Sequence, residues 1–381
     1  MNRKLLSVVG IVAVMLVVMI LPMAGCAPEA APPPEEEEQA PPPEEEEAPP
    51  AAPEGKVWKW YPSTWLPSGT EWDRLGVLCD YITRASGGRI ECTPTAPGAI
   101  CPVDEQLDAV ASGATPAMMP YPDYFSGKIP MMVMQANALY LLDDSWEMYQ
   151  YLEKQDDGRM LELVREELHN FGNVEFIAPC YYPLRMIAVS RVPLYGIDDI
   201  PGTKFRCGDV PVANALGKLG APVVWAPGPE IYTMLASGVV DAVTFCSPYD
   251  SIAMGFHEVT KYWLKRPIAG PVLAELFVVN GDVWKEIGPD LQAVVESAIQ
   301  ASNAYCEYHS FIEIAQGWNE AEAAGIEIIE WSDEDVLKWK KTVASFFPDY
   351  CKDDASTEAV EILKDFIKEW KPALAKEIGL A

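Results

Sequence analysis

The sequence predicts an α/β fold of two lobes, each a mostly parallel sheet flanked by helices, with long helices closing the chain. The first observation is an alternation over residues 182–250. Thr203-Lys204-Phe205-Arg206 reads as a short strand, Ala213 to Leu219 has helical spacing and ends on Gly220, and Ala221 to Trp225 is β-like. A helix from Pro229 to Ser237, stopped by Gly238, and the apolar strand Val239 to Phe245 complete the series. Strand, helix, strand, helix, strand with short links is the pattern of parallel strands joined by right-handed crossovers. The second observation is a like run from Val57 to Met119. The third is length, since 381 residues exceed one ordinary domain and suffice for two cores.

Residues 1–26 stand apart from that fold. Arg3 and Lys4 precede an apolar run from Leu5 to Leu21, and Pro22-Met23-Ala24-Gly25-Cys26 ends it with small residues before a cysteine. The run approaches spanning length, but its end resembles the lipobox of a bacterial lipoprotein signal. Cys26 is then the lipidated N-terminus, and all that follows lies outside the cytoplasm, on a membrane anchor. Residues 27–55 are Pro, Ala and Glu almost throughout. Such a segment cannot bury enough apolar surface to offset its ordering entropy, and its like charges repel. It reads as a disordered tether.

The body opens with the strand Val57 to Tyr61, a helix from about Thr70 to Thr83, the stop Ser86-Gly87-Gly88 and the strand Arg89 to Cys92. A helix from Asp104 to Gly113 and the strand Ala117-Met118-Met119 follow. Two helices separated near Asp157-Gly158 fill Asp143 to Phe171, and strands cover Val174 to Cys180 and Leu184 to Val192. A long helix from about Pro289 to Ala324, the strand Ile326 to Trp331 and helices at Asp333–Phe346 and Thr357–Trp370 complete the chain. The expected lobes are residues 56–183 with about 272–316, and 184–271 with about 317–381.

The chain carries 28 basic and 57 acidic residues, a net charge of −29. Ten of the acids lie in residues 27–55, which hold no Lys or Arg, so the body is strongly acidic as well. Its field repels nucleic acid and anionic lipid. A small anion is not excluded, because an Arg in a desolvated cleft acts at short range and outweighs a screened surface field. Among nine cysteines there is no C-x-x-C pair, and His169, His257 and His309 lie far apart, which argues against zinc. Cys92 and Cys101 flank a Pro/Gly turn and are the pair best placed for a disulfide. No G-x-S-x-G, G-x-x-x-x-G-K-[ST] or H-E-x-x-H occurs, so no enzyme is expected.

Asp198-Asp199-Ile200-Pro201-Gly202-Thr203-Lys204-Phe205-Arg206 resembles the "D-D-L-x-G-x-K-hydrophobic-R" motif of DctP-type solute-binding proteins. These are the extracytoplasmic receptors of tripartite ATP-independent (TRAP) transporters. Leu219-Gly220-Ala221, then Glu230 to Ala242, is similar to "L-G-A … E-x-Y-x-A-L-x-x-G-x-x-D". The similarity runs on through Gly255–Tyr262 and Val278-Val279-Asn280 to Trp284. Tyr121 to Pro130 resembles the "Y-Y-x-G-K-x-P" of the branch associated with 2-oxo acids and related small carboxylates. The resemblance implies a periplasmic-binding-protein-like fold, capture of a small organic anion between the lobes, and TRAP-type membrane subunits as partners. A lipid-anchored sensory module not coupled to transport is the alternative.

Arg206 ends a strand at the side where ligands of parallel sheets bind, and its planar fork suits a carboxylate bidentately. The resemblance makes it the ligand clamp and sets Arg185 near a second contact. Tyr121, Tyr124 and Tyr182 follow strands and offer an apolar wall with a hydroxyl handle, and Phe245 has a strand-end position. Two departures stand out. The carboxylate branch has Gly-Gly-Trp where this chain has Met186-Ile187-Ala188-Val189. It also has a Glu-Trp pair, which helps hold a metal ion, where this chain has Thr244-Phe245. No metal and no cofactor are therefore expected.

Overall fold

Trp58–Trp60 (β1) and Ile90–Cys92 (β2) pair in parallel, joined by the helix Thr70–Ala85 (α1). Leu75, Leu78, Cys79 and Ile82 are buried at helical spacing on α1, and Gly87 and Gly88 end it with φ of 63° and 79°. These elements belong to a computed structural model that describes residues 55–183, 187–265 and 272–380, within the compact unit Pro50–Ala381. The lipidation site Cys26 and the candidate Arg185 lie outside the described residues.

Gln106–Ala111 (α2), Ala117–Met118 (β3) and the wholly buried Met132–Asn137 (α3) follow, the last without a sequence expectation. Asp144 caps Ser145–Tyr149 (α4) by accepting the Glu147 N–H at 2.8 Å. The predicted break before Arg159–Phe171 (α5) is present, built by Asp156, Asp157 and Gly158 at positive φ. Val174–Tyr182 (β4) then leads towards Ile187–Ser190 (β5), which lies in another sheet.

That second sheet gathers Phe205–Arg206 (β6), Val223–Val224 (β7) and Ala242–Phe245 (β8), with Val210–Lys218 (α6) and Ile231–Ser237 (α7) between them. Pro248–Ala253 (α8) and Tyr262–Leu264 (β9) follow. Leu273–Asn280 (β10) returns to the first half and pairs with β3 and β4, in the order β3-β10-β4. All eight of its residues are buried. Glu327–Ile329 (β11) completes the six-stranded order β11-β9-β5-β8-β6-β7.

The sheets are more mixed than the βαβ alternation predicts. β6 runs parallel to β7 and β8, as expected. β5 runs antiparallel to β8 and β9, and β10 antiparallel to β3 and β4. Both strands arrive from the other sheet rather than through a packed crossover helix, so the handedness rule for βαβ units does not fix their direction.

The predicted long helix runs Gly281–Ala323 (α9), with a break at Gly288 (φ 77°) before Pro289, where the sequence places its start. The Asn280 side chain caps it, accepting the Asp282 and Val283 N–H groups. Gly317 lets α9 lie against the backbone of Pro248 and Tyr249, where a Cβ would meet Tyr249 N at 2.3 Å. Asp333–Ala344 (α10), Phe347–Tyr350 (α11), Asp354–Trp370 (α12) and Pro372–Glu377 (α13) close the chain. Cys92 and Cys101 are not joined: both are free thiols, and the Cys92 Sγ instead lies 3.1 Å from the Sγ of Cys79 on α1, also a free thiol.

Candidate functional site

The backbone of β6 is fixed by the motif that surrounds it. Lys204 donates its N–H to the Asp241 carboxylate at 3.1 Å and its ammonium to the Gly238 carbonyl at 3.1 Å. Gly238 can accept there because it ends α7 in the left-handed region, φ 75°. These contacts seat β6 beside β8 and aim Arg206 off the strand end. Arg206 is 4% exposed, and its Nε and Nη2 donate to the Ala226 carbonyl at 2.9 and 2.6 Å. Nη1 and the second hydrogen of Nη2 remain, which together form the end-on fork of the group. Among the described residues no carboxylate forms an ion pair with Arg206. A Cβ on Gly208 would stand 3.2 Å from both Nη1 and Nη2, so that glycine keeps the fork's flank clear.

A small cavity lies beside this guanidinium. Arg206, Gly208, Asp209, Thr244, Phe245 and Cys246 line it from the six-stranded side, and Trp65, Tyr121, Tyr124 and Leu273 face them. Four sequence candidates are thus brought together: Arg206, Tyr121, Tyr124 and Phe245. Tyr182 does not line this cavity. Its ring is fully buried, its hydroxyl donates to Asp250 at 2.6 Å, and the Arg74 guanidinium lies 5.0 Å from the ring centre. Asp250 also accepts the Thr70 N–H at 2.8 Å, so Tyr182 and Asp250 tie the two sheet systems to each other. Glu230 is exposed beside α7 and stands away from the cavity.

Aromatic rings form one wall. Tyr124 packs edge-on against Tyr121, Trp65 and Trp225, with centroids 5.2, 6.4 and 6.3 Å apart. Trp65 is held from behind by its indole N–H on Glu275, which is itself bound to Arg74. Arg74 bonds Glu71 at 2.6 Å and the Tyr181 carbonyl at 2.8 Å, and Thr64 donates to Glu71. Burial pushes the Glu71 carboxyl up to about 7, against the pull of Arg74.

Sequence reasoning missed Trp65, Gly208, Asp209 and Tyr140. Asp209 stands before α6, where the position alone suggests a helix cap. The Tyr121 and Tyr140 hydroxyls donate to its Oδ1 at 2.5 and 2.7 Å. Burial raises the Asp209 carboxyl, while those hydroxyls and Arg206 favour its charged form. Asp123 instead accepts the Val210 N–H at 2.8 Å, and burial with Asp209 nearby lifts its carboxyl to about 8.

Thr244 and Phe245 stand where the resembling branch has its Glu-Trp pair. Thr244 donates its hydroxyl to the Cys207 sulfur at 3.1 Å, and Phe245 packs on Phe256 with centroids 4.8 Å apart. Among the described residues no group of three His, Cys, Asp or Glu is arranged to hold a metal.

Residues 63–353 match the DctP family, bacterial extracellular solute-binding protein family 7. The chain belongs to that family. This DctP-family protein is an extracellular solute-binding protein. It is 24% identical over 302 residues to the monocarboxylate 2-oxoacid-binding periplasmic protein of a Nostoc species, covering 78% of each chain. Its fold is similar to that of a TRAP transporter solute binding protein from Bordetella bronchiseptica RB50 with copurified calcium and picolinate (TM-score 0.75, 19% identity, 84% of this chain and 94% of that one). A TRAP periplasmic solute binding protein from Pseudoalteromonas atlantica T6c with bound sodium and pyruvate is also similar (TM-score 0.74, 18% identity, 84% and 97%).

Proposed function

We propose that this receptor captures a small organic carboxylate in the cavity at Arg206 and delivers it to TRAP-type membrane subunits. One observation carries the reading: a buried guanidinium whose end-on fork faces a cavity, with no carboxylate of the described protein paired to it. A buried cation without an internal counter-ion is costly unless a ligand supplies one. Parallel N–H donors select a carboxylate over a single-oxygen acceptor. Tyr121, Tyr124 and Phe245 shape the walls, and Tyr182 acts at the junction of the sheets rather than on the ligand. The Nostoc relative, which binds 2-oxo acids of the monocarboxylate class, supports the same class of anion.

Capture works through closure. The cavity walls come from both sheet systems, so the ligand touches both only when they meet, and that difference in affinity shifts the population to the closed form. On this reading residues 56–183 with about 272–316 form one lobe, and 184–271 with about 317–381 the other. Cys26 carries the lipid anchor and residues 27–55 the tether. Among the described residues no helix is long and apolar enough to cross a membrane.

The test is native mass spectrometry of the purified protein with its co-purified solute, followed by calorimetric titration of that solute. A small carboxylate that binds wild type and fails to bind Arg206→Ala is the expected result. A neutral or cationic solute would overturn the proposal. For the anchor, Cys26→Ser is expected to leave the membrane fraction, and its retention there would contradict lipidation.

A further inference from the structure

The carboxylate reading, on which this inference rests, leaves one wall residue without a role. Asp209 is 6% exposed and lines the same cavity as Arg206. Its Oδ1 takes both tyrosine hydroxyls, and its Oδ2 has no hydrogen-bond partner among the described residues. Helix capping does not explain it, because the Asp209 side chain accepts no N–H from α6 and Asp123 takes that of Val210. An ion pair does not explain it either, since Asp209 and Arg206 form none. The cavity therefore presents two opposite charges that do not meet. Arg206 offers free donors and Asp209 offers a free acceptor.

We propose that Asp209 reads an ammonium group beside the ligand's carboxylate, so that the receptor takes small α-amino acids in preference to the 2-oxo acids of the same skeleton. A zwitterion matches the pair term by term, with its carboxylate on the Arg206 fork and its ammonium on Asp209 Oδ2. An oxo oxygen is an acceptor only, and set against Oδ2 it leaves two desolvated acceptors facing each other. The Tyr121 hydroxyl, which lines the cavity and would relieve that contact, is directed at Oδ1. Tyr140 reinforces this arrangement from a backbone turned to positive φ at Ala138, Leu139 and Tyr140. Trp65, Phe245 and Leu273 leave an apolar wall for the amino acid's side chain.

The experiment is a thermal-shift series on the purified wild-type protein with the common α-amino acids and the 2-oxo acids of matching skeletons, each with and without calcium or sodium. Calorimetry then measures the best matched pair. The amino acid is expected to bind about 10- to 100-fold tighter than its oxo partner, the factor for one charge-assisted hydrogen bond. Asp209→Asn, which replaces the acceptor pair with one acceptor and one donor, is expected to remove most of that preference. Tighter binding of the oxo acid, with or without a cation, overturns this inference and leaves the carboxylate reading standing. An unchanged preference in Asp209→Asn overturns it too. If neither series binds, the carboxylate reading itself fails and takes this inference with it. The wild-type series decides the matter even if the variant does not fold.

Discussion

Replacing Arg206 with alanine perturbs the ligand and the protein separately, and the structure gives a magnitude for each. On the ligand side the end-on fork is lost. Truncating one partner of a buried charged hydrogen-bonded pair costs about 2–5 kcal/mol. That is about 30- to several-thousand-fold in affinity. On the protein side, the Ala226 carbonyl loses the two N–H groups that reach it at 2.9 and 2.6 Å. Leaving a buried acceptor unpaired costs about 1–3 kcal/mol, so the unliganded protein is expected to melt a few degrees lower. A fully solvated guanidinium would predict no change in melting. The 4% exposure of Arg206 replaces that picture.

Arg206→Lys separates the two effects. Its ammonium keeps the charge and can donate either to the Ala226 carbonyl or towards a ligand, but it cannot copy a planar fork. Melting of the unliganded Lys variant is expected to return most of the way to wild type, and affinity only part of the way. Calorimetry with the co-purified solute, beside melting curves without it, measures both. Affinity in Arg206→Ala within about threefold of wild type, a difference under 1 kcal/mol, would refute the clamp.

Gly208→Ala places a methyl 3.2 Å from both Nη atoms of Arg206. It is expected to weaken ligand binding by roughly 1 kcal/mol, about fivefold, with little change in melting. For Asp123, burial lifts the carboxyl from its usual value of 3.8 to about 8, so the fold prefers the neutral acid. Its contribution to stability is full below about pH 4 and is lost as pH rises towards 8, at no more than about 1.4 kcal/mol per unit. Asp123→Asn should flatten that part of a melting-against-pH curve, and a wild-type curve that rises across the window contradicts the assignment. With sulfurs 3.1 Å apart, Cys79 and Cys92 are the pair that oxidised glutathione is expected to join during refolding. Peptide mapping without reduction checks it, and a Cys92–Cys101 bridge would contradict the geometry.

Much of the second sheet was legible because its information is local. Gly220 and Gly238 end helices at φ 90° and 75°, positions where a side chain is strained, and such stops survive any change of context. The strand ending on Arg206 was legible for a related reason: a charge at the end of a buried strand needs a partner, and no neighbour in sequence supplies one. The Asp157-Gly158 break announced itself by residue types that tolerate left-handed backbone. What stayed hidden depends on segments far apart. β10 reads as an apolar run, and nothing in such a run states which way its partners point. Tyr140 lies 69 residues from the carboxylate it serves and is delivered by a turn of ordinary Ala and Leu at positive φ. Asp209 precedes α6 without capping it, and the Val210 N–H goes instead to Asp123, 87 residues away in sequence.

Those hidden contacts also join the cavity walls from one sheet to the other. Asp209 rides on the six-stranded sheet, while Tyr121 and Tyr140 come from the segments before α4, on the opposite side. Separating the sheets would remove both hydroxyls from Oδ1, take Asp123 from the Val210 N–H, and part Asp250 from Tyr182 and Thr70. In water each of those carboxylates is resolvated, so opening is not prohibitive. With the sheets together each must keep its partner, because a buried polar group left unpaired is costly. The same buried oxygens that hold the walls together thus fix where Tyr121 and Trp65 stand. On the reading proposed above, a ligand that leaves Asp209 Oδ2 unmatched forfeits part of the stability of closure itself, and selectivity and closure are then one interaction.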